Sequence, residues 1–316
     1  MWPFRGKAPK VVFDDNAGDE TARMLDAAAR RGDWRTVGAT LDRVTDTDLR
    51  NFYLGVVTDL EGAQPWIDEW VAAEPGSALP YLVKGCHFTA WAWEARTSKQ
   101  AKYVSQEQFA VFFRRLKVAE DNLDEALARD PGDANIWAQL IQTAIGRQLG
   151  LPEAERRFKE VTARHRWHRS AHHKLLQQKC AKWGGSDELA LTFARDTVAE
   201  MPPGCSLGSL VAVAHFEQHL QDPGERHLRR PEVVAEIRAA AEKSVLHPAF
   251  RDGPGHRAAH GWFALALTLA GDHRAAVAHF DAIGDTPTRM PWEYFPSPAR
   301  TFTQAKEEVH RAVGRR

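Results

Sequence analysis

The sequence predicts an all-α fold built from stacked helical hairpins, and three observations carry that expectation. Alanine is frequent, isoleucine is scarce and tryptophan occurs 11 times, a composition that suits close-packed helices with aromatic anchors better than strands. Apolar positions recur at steps of three and four along most of the chain, the period of one helix face. One short unit also returns near both ends: Gly32-Asp33-Trp34-Arg35-Thr36-Val37-Gly38-Ala39-Thr40-Leu41-Asp42 aligns with Gly271-Asp272-His273-Arg274-Ala275-Ala276-Val277-Ala278-His279-Phe280-Asp281. In each copy a glycine ends one helix and the following aspartate caps the next. Glycine tolerates the left-handed conformation of a helix end, and a carboxylate accepts the orphan N–H groups of a helix start.

In chain order, the first hairpin is expected over 19–44 and the second over 47–74. The third, 78–130, begins on Tyr81, Lys84, Gly85 and Phe88, whose spacing of 0, 3, 4, 7 marks a single helix face. The same spacing opens the fourth (133–165) at Trp137, Leu140, Ile141 and Ala144, and the fifth (168–200) at His172, Leu175, Leu176 and Lys179. Leu207, Leu210, Val211 and Ala214 open the sixth, 206–246. Trp137, His172 and Leu207 follow one another at a period of 35 residues, and the third unit departs from it by an insertion near 96–116. The seventh hairpin spans 256–284, and a terminal helix follows near 299–313. Asp130-Pro131-Gly132-Asp133, Met201-Pro202-Pro203-Gly204 and His247-Pro248 break helices between units. Gly55 and Gly85 are expected to let paired helices approach closely. Short linkers predict one continuous array over 18–290, with a mobile segment at 1–17 and a C-terminal capping segment at 291–316.

Charge narrows the function classes. The chain carries 42 basic and 42 acidic residues, whereas a protein gripping nucleic acid or anionic lipid over a broad face needs a basic excess. Nucleic-acid and membrane partners are therefore not expected. The most apolar run, Trp262 to Ala270, is about half of the ~20 residues that span a bilayer. Cys86, Cys180 and Cys205 are odd in number, far apart and without CxxC spacing, which suits a reducing cytoplasm and neither a disulfide framework nor a Cys-rich zinc site.

Several positions resemble the tetratricopeptide repeat, whose 34-residue unit reads W-x2-L-G-x2-Y and then A-x3-F with a later Pro. Asn51, Leu54, Gly55 and Thr58, and again Tyr81, Gly85 and Phe88, match its first half in part; Ala276, Phe280 and Pro287 match its second. No single unit is complete, so the units are divergent. Trp91-Ala92-Trp93-Glu94-Ala95-Arg96 and Ala181-Lys182-Trp183-Gly184-Gly185-Ser186 resemble strings of an uncharacterised bacterial repeat family of unknown function. The resemblance implies a right-handed solenoid of about seven helical hairpins. It also implies that the first helix of each unit lines a concave, partner-binding groove. Carried over by register, Asn135, Gln139 and Gln142, then His173, Lys174 and Gln177, face that groove. They are nearly uncharged, and the family's carboxylate clamp is not reproduced.

Other residue patterns point to chemistry. His168 and His172, His215 and His219, and His256 and His260 are spaced to share a helix face, and His165 extends the first pair into a stripe able to hold a divalent metal. Packing and surface positions are the competing roles, since His165 lies near a hairpin break and His172 at a core-type repeat position. His215-Phe216-Glu217-Gln218-His219 lacks the glutamate that a zinc protease places directly after its first histidine. No phosphate-binding loop, nucleophile elbow or kinase signature is present. His87, Trp91 and Glu94 share a face able to meet a ligand or to pack against the insertion, with Trp93 turned away. The insertion, with Arg96, Lys99, Lys102 and Tyr103 before a capping box at Ser105 and Gln108, reads as a lid or as a packed connector. Trp183-Gly184-Gly185-Ser186 reads as a turn between helices. The function expected is a non-catalytic protein- or peptide-binding scaffold without cofactor. The alternative is a metal-binding protein or enzyme using the stripe of His165, His168 and His172.

Overall fold

The computed structural model describes residues 11, 13–96, 103–221 and 226–314. Among them are fifteen α-helices and no strand. Two compact units divide the chain, one formed by Asp19–Ser186 and the other by Asp187–Arg316 with the described part of the first eighteen residues. The division falls inside 168–200, between the two helices that periodicity assigns to the fifth hairpin.

The first unit contains α1 (Glu20–Arg30), α2 (Trp34–Arg43), α3 (Thr47–Thr58), α4 (Gln64–Ala73), α5 (Ala78–Arg96), α6 (Gln106–Arg129), α7 (Ala134–Gly146), α8 (Leu151–Arg164) and α9 (Arg169–Lys179). Aspartates start four of them: Asp19, Asp33, Asp46 and Asp133 accept from the backbone N–H of Ala22, Thr36, Leu49 and Asn135 at 2.7–3.1 Å. At α6 the capping box is complete, with Gln108 N–H donating to Ser105 and the Gln108 side chain accepting from Ser105 N–H. Helices α1, α5 and α7 pack on α2, α6 and α8. Helices α1, α3, α5, α7 and α9 also pack each on the next. Their apolar faces form one core around Leu54, Val57, Ile67, Leu82 and Leu123, in which Trp34 stacks on Trp70 at 5.8 Å.

The two glycines differ. A Cβ on Gly85 would lie 2.6 Å from Leu123 Cγ, so this position is the close approach of α5 to α6. Nothing stands within 4 Å of a Cβ on Gly55, which faces open space and has no packing role.

Residues 97–102 of the insertion, with Lys99 and Lys102, lie outside the described residues. Its remainder lengthens α6, and Phe112 and Leu116 bury with Ala92 against Trp93 and Phe109 in a small core of their own. The described part of the insertion is thus a packed connector.

The second unit contains α10 (Asp187–Glu200), α11 (Ser209–Gln221), α12 (Pro231–Lys243), α13 (Arg257–Ala270), α14 (His273–Ile283) and α15 (Pro298–Ala312). Helix α13 is central, touching α11, α12, α14 and α15. The C-terminal segment closes the core on α14, where Trp292 and Phe302 pack against Phe280 and both are buried. Of the segment 1–17, residues 1–10 and 12 lie outside the described residues. Asp14 folds the following turn by accepting from Asn16 and Gly18 N–H, and Arg289 clasps Asp15 through both carboxylate oxygens at 2.7 and 2.9 Å. None of the described helices is long and apolar enough to cross a membrane.

Candidate functional site

The residues that chemistry and register single out in the first unit separate into a sealed end and an open end. At the sealed end Asp48 of α3 accepts from Arg169 N–H at 2.9 Å and pairs with His165 at 3.3 Å. Burial alone would raise the Asp48 pKa. The His165 hydrogen bond and the neighbouring Arg169 and His168 outweigh it and hold the carboxyl at about 2. His168 caps α9, its Nδ1 accepting from Ala171 N–H at 3.3 Å. That fixes the tautomer, so its Nε2–H donates to Asn135 Oδ1 at 3.0 Å. Asn135 also donates to the Thr47 carbonyl at 3.3 Å and is only 1% exposed. Its amide is spent inside the α3, α7 and α9 junction, which removes it from the expected groove.

This arrangement also accounts for the histidine stripe. His165 turns to Asp48, His168 to Asn135 and its own helix start, and His172 Nδ1 donates to the His168 carbonyl at 2.9 Å. The three rings do not converge on one point. Their i, i+4 spacing reflects a cap and a core position. His215 likewise pairs with His227 at 2.9 Å and Glu236 at 3.1 Å, and His260 with His279 at 3.1 Å, so neither joins its sequence neighbour. Among the described residues no three His, Cys, Asp or Glu side chains stand together as a metal site.

The ligand face proposed for His87, Trp91 and Glu94 is covered. His87 is 2% exposed and donates through Nδ1 to the Thr58 carbonyl at 2.9 Å, while Trp91 stacks on its ring. The Arg115 guanidinium, from the inserted part of α6, lies 3.5 Å from the Trp91 ring centre and donates to the Trp91 carbonyl at 2.6 Å. Glu94 remains exposed at the edge.

Trp93, not Trp91, reaches the open end. There α5, α7 and α9 border a cleft of about 280 Å³. Helix α7 supplies Gln142 and Ile145, and α9 supplies Ser170, His173, Lys174 and Gln177. The far wall is the one-turn segment Ala181–Trp183, which contributes Lys182 and Trp183. Gly185 closes that segment onto α9, with its N–H donating to the Cys180 carbonyl and the Ser186 N–H to the Lys179 carbonyl. A Cβ at Gly185 would sit 1.9 Å from the Lys179 oxygen, so only glycine permits this closure. Trp183 then meets Trp93 edge to face with ring centres 5.5 Å apart, and the Arg96 guanidinium lies over both rings.

Four of the six residues assigned to the groove therefore share one cleft: Gln142, His173, Lys174 and Gln177. A fifth, Gln139, stands behind it. Lys174 Nζ donates to Gln139 Oε1 at 3.0 Å and to the Ala138 carbonyl at 3.1 Å. Burial pushes the Lys174 pKa down to about 8, and burial with Arg169 and His172 nearby pushes His173 down to about 3. The imidazole is thus neutral. Trp93, Ser170, Lys182 and Trp183 were not assigned to the groove from sequence. The signal for three of them was present: the two tryptophan strings that suggested a family likeness hold Trp93, Lys182 and Trp183. No family model, curated protein or solved structure matches the chain.

Proposed function

We propose that the chain is a non-catalytic, cytoplasmic scaffold that binds a peptide or protein segment in the cleft between α5, α7, α9 and the Ala181–Trp183 turn. The observation that carries this reading is the convergence of Gln142, His173, Lys174 and Gln177 with the Trp93 and Trp183 pair on one open cleft. Amides that both donate and accept, set beside two indoles, suit the backbone and apolar side chains of a bound peptide. The lining offers no paired acid and base for catalysis, because His173 is neutral and no carboxylate orients it.

The order in which the helices pack supports the same reading. The packing of α1, α3, α5, α7 and α9 each on the next is what first helices of divergent tetratricopeptide-like hairpins do in a right-handed solenoid. On this reading those helices present the partner surface, which is narrowed to the cleft because Asp48 seals the other end.

The test is affinity capture from source cells with the full chain, its Trp183→Ala variant and a Gln142→Glu, Gln177→Glu variant. Loss of the same partner from both variants, with helix content unchanged by circular dichroism, is the expected result. A partner retained undiminished by both variants overturns the reading.

A further inference from the structure

The cleft differs in charge from the chain that contains it. Overall the basic and acidic residues cancel, 42 against 42, yet the lining includes Lys174 and Lys182 and no carboxylate. Lys174 is held in place by two neutral acceptors, the Gln139 side chain and the Ala138 carbonyl, which orient its ammonium without neutralising it. No carboxylate among the described residues makes an ion pair with it. A lysine placed in this way is a fixed, partly desolvated cation, and such a group favours an anion brought by a partner over one in water. The neighbouring ring of His173 adds no second charge, because burial keeps it neutral.

From this charge complementarity we infer that the occupant of the cleft is an acidic peptide segment, one of whose internal Asp or Glu carboxylates pairs with Lys174 while an adjacent apolar side chain packs on Trp93 and Trp183. The inference rests on the peptide-binding reading above and adds the chemistry of the partner. Gln142 presents an amide on α7 that can donate to and accept from an extended backbone on either side of the bound residue. An internal side chain therefore supplies the charge, and a free chain end is not required. A carboxylate that gains a charge-assisted hydrogen bond here gives about a tenfold preference over its uncharged amide isostere.

A random peptide library displayed without free C-termini, panned on the full chain and on its Trp183→Ala and Lys174→Met variants, tests this. Methionine fills the lysine stem volume and removes the ammonium together with its hydrogen bonds to Gln139 and Ala138, so folding of Lys174→Met is checked by circular dichroism. The expected result is that the unaltered chain enriches peptides with Asp or Glu beside an apolar residue. A synthetic copy of the best one binds about tenfold tighter than its Asn or Gln isostere, and Lys174→Met abolishes that ratio while still binding the isostere. Enrichment of neutral or basic peptides that depend on Trp183 overturns the acidic assignment and leaves the cleft reading intact. Failure of any peptide to distinguish the unaltered chain from Trp183→Ala overturns both.

Discussion

Arg157 on α8 reaches Glu120 on α6 at 2.6 Å, with each side chain less than a tenth exposed. The guanidinium also donates to the Leu140 carbonyl at 2.6 Å and to Thr143 Oγ1 at 3.1 Å, and Arg147 takes the other Glu120 oxygen. Three consecutive helices, α6, α7 and α8, are thereby joined through one carboxylate. A buried ion pair is tolerated when its remaining donors and acceptors are met in this way, and loss of one partner strands the other's charge.

Glu120→Gln is therefore expected to cost about 1–3 kcal/mol in urea unfolding, because the buried Arg157 guanidinium loses its buried counterion and keeps only the half-buried Glu153 carboxylate at 2.6 Å. The double replacement Glu120→Leu, Arg157→Met removes both charges and costs much less. Equal losses for the single and double variants would show that the pair is not desolvated as its burial implies.

Two glycine substitutions should move stability in opposite directions. Gly55→Ala adds a methyl to an exposed helix interior with nothing within 4 Å, and gains about 0.5–1 kcal/mol from helix propensity. Gly85→Ala drives its methyl into Leu123 and the Ala119 carbonyl, and loses about 1–3 kcal/mol. Thermal melts of the two variants decide it, and a destabilised Gly55→Ala would contradict the open surroundings of that position.

Acid should unfold the chain well above the carboxylate range. Burial, the first cause in each case, lowers His168, His172, His215 and His260 to about 4 and His279 to about 3. Near pH 5 the unfolded chain binds protons at these rings and the folded chain does not. Their contribution is therefore complete above pH 6.5 and declines as pH falls towards 4, on the order of 2–3 kcal/mol for each ring. Asp48, held at about 2, adds a further loss only below pH 3.8. Urea midpoints measured at pH 7.5 and pH 5 should fall steeply with acidification, and a flat profile would show these rings to be hydrated.

The pair of tryptophans that walls the cleft should be coupled beyond its buried area. A double-mutant cycle on Trp93→Ala and Trp183→Ala is expected to give an interaction energy of about 0.5–1.5 kcal/mol. Strict additivity would place the two rings out of contact.

Helix starts were legible because an aspartate cap acts within three residues, as at Asp33 on Thr36 and Asp46 on Leu49. Ser105 and Gln108 were readable for the same reason. The cleft was readable only in part. Register along α7 and α9 identified Gln142, His173, Lys174 and Gln177, since a period of 3.6 fixes which side chains share a face. It misplaced Asn135, because the bonds that bury it come from Thr47 and His168, which are local to it in space and remote in sequence. Trp91 and Trp93 lie roughly 200° apart on their helix, so one is covered wherever the next helix packs. Which one is decided by Arg115 of α6, a residue 24 positions further along the chain than Trp91. Gly55 was expected to face a paired helix, but nothing stands within 4 Å of a Cβ there, a fact visible only once the helices are assembled.

The turn over 181–183 is closed by main-chain hydrogen bonds on either side of Gly184 and Gly185, with Gln178 holding the Trp183 carbonyl. None of those bonds uses the side chain of residue 182 or 183. A change at 183 gives up the ring contact with Trp93, but the course of the turn is independent of the side chains at 182 and 183. That makes the turn the natural place to retarget the molecule: grafting new side chains at 182 and 183 changes what the cleft accepts while Gly185 keeps the loop in register.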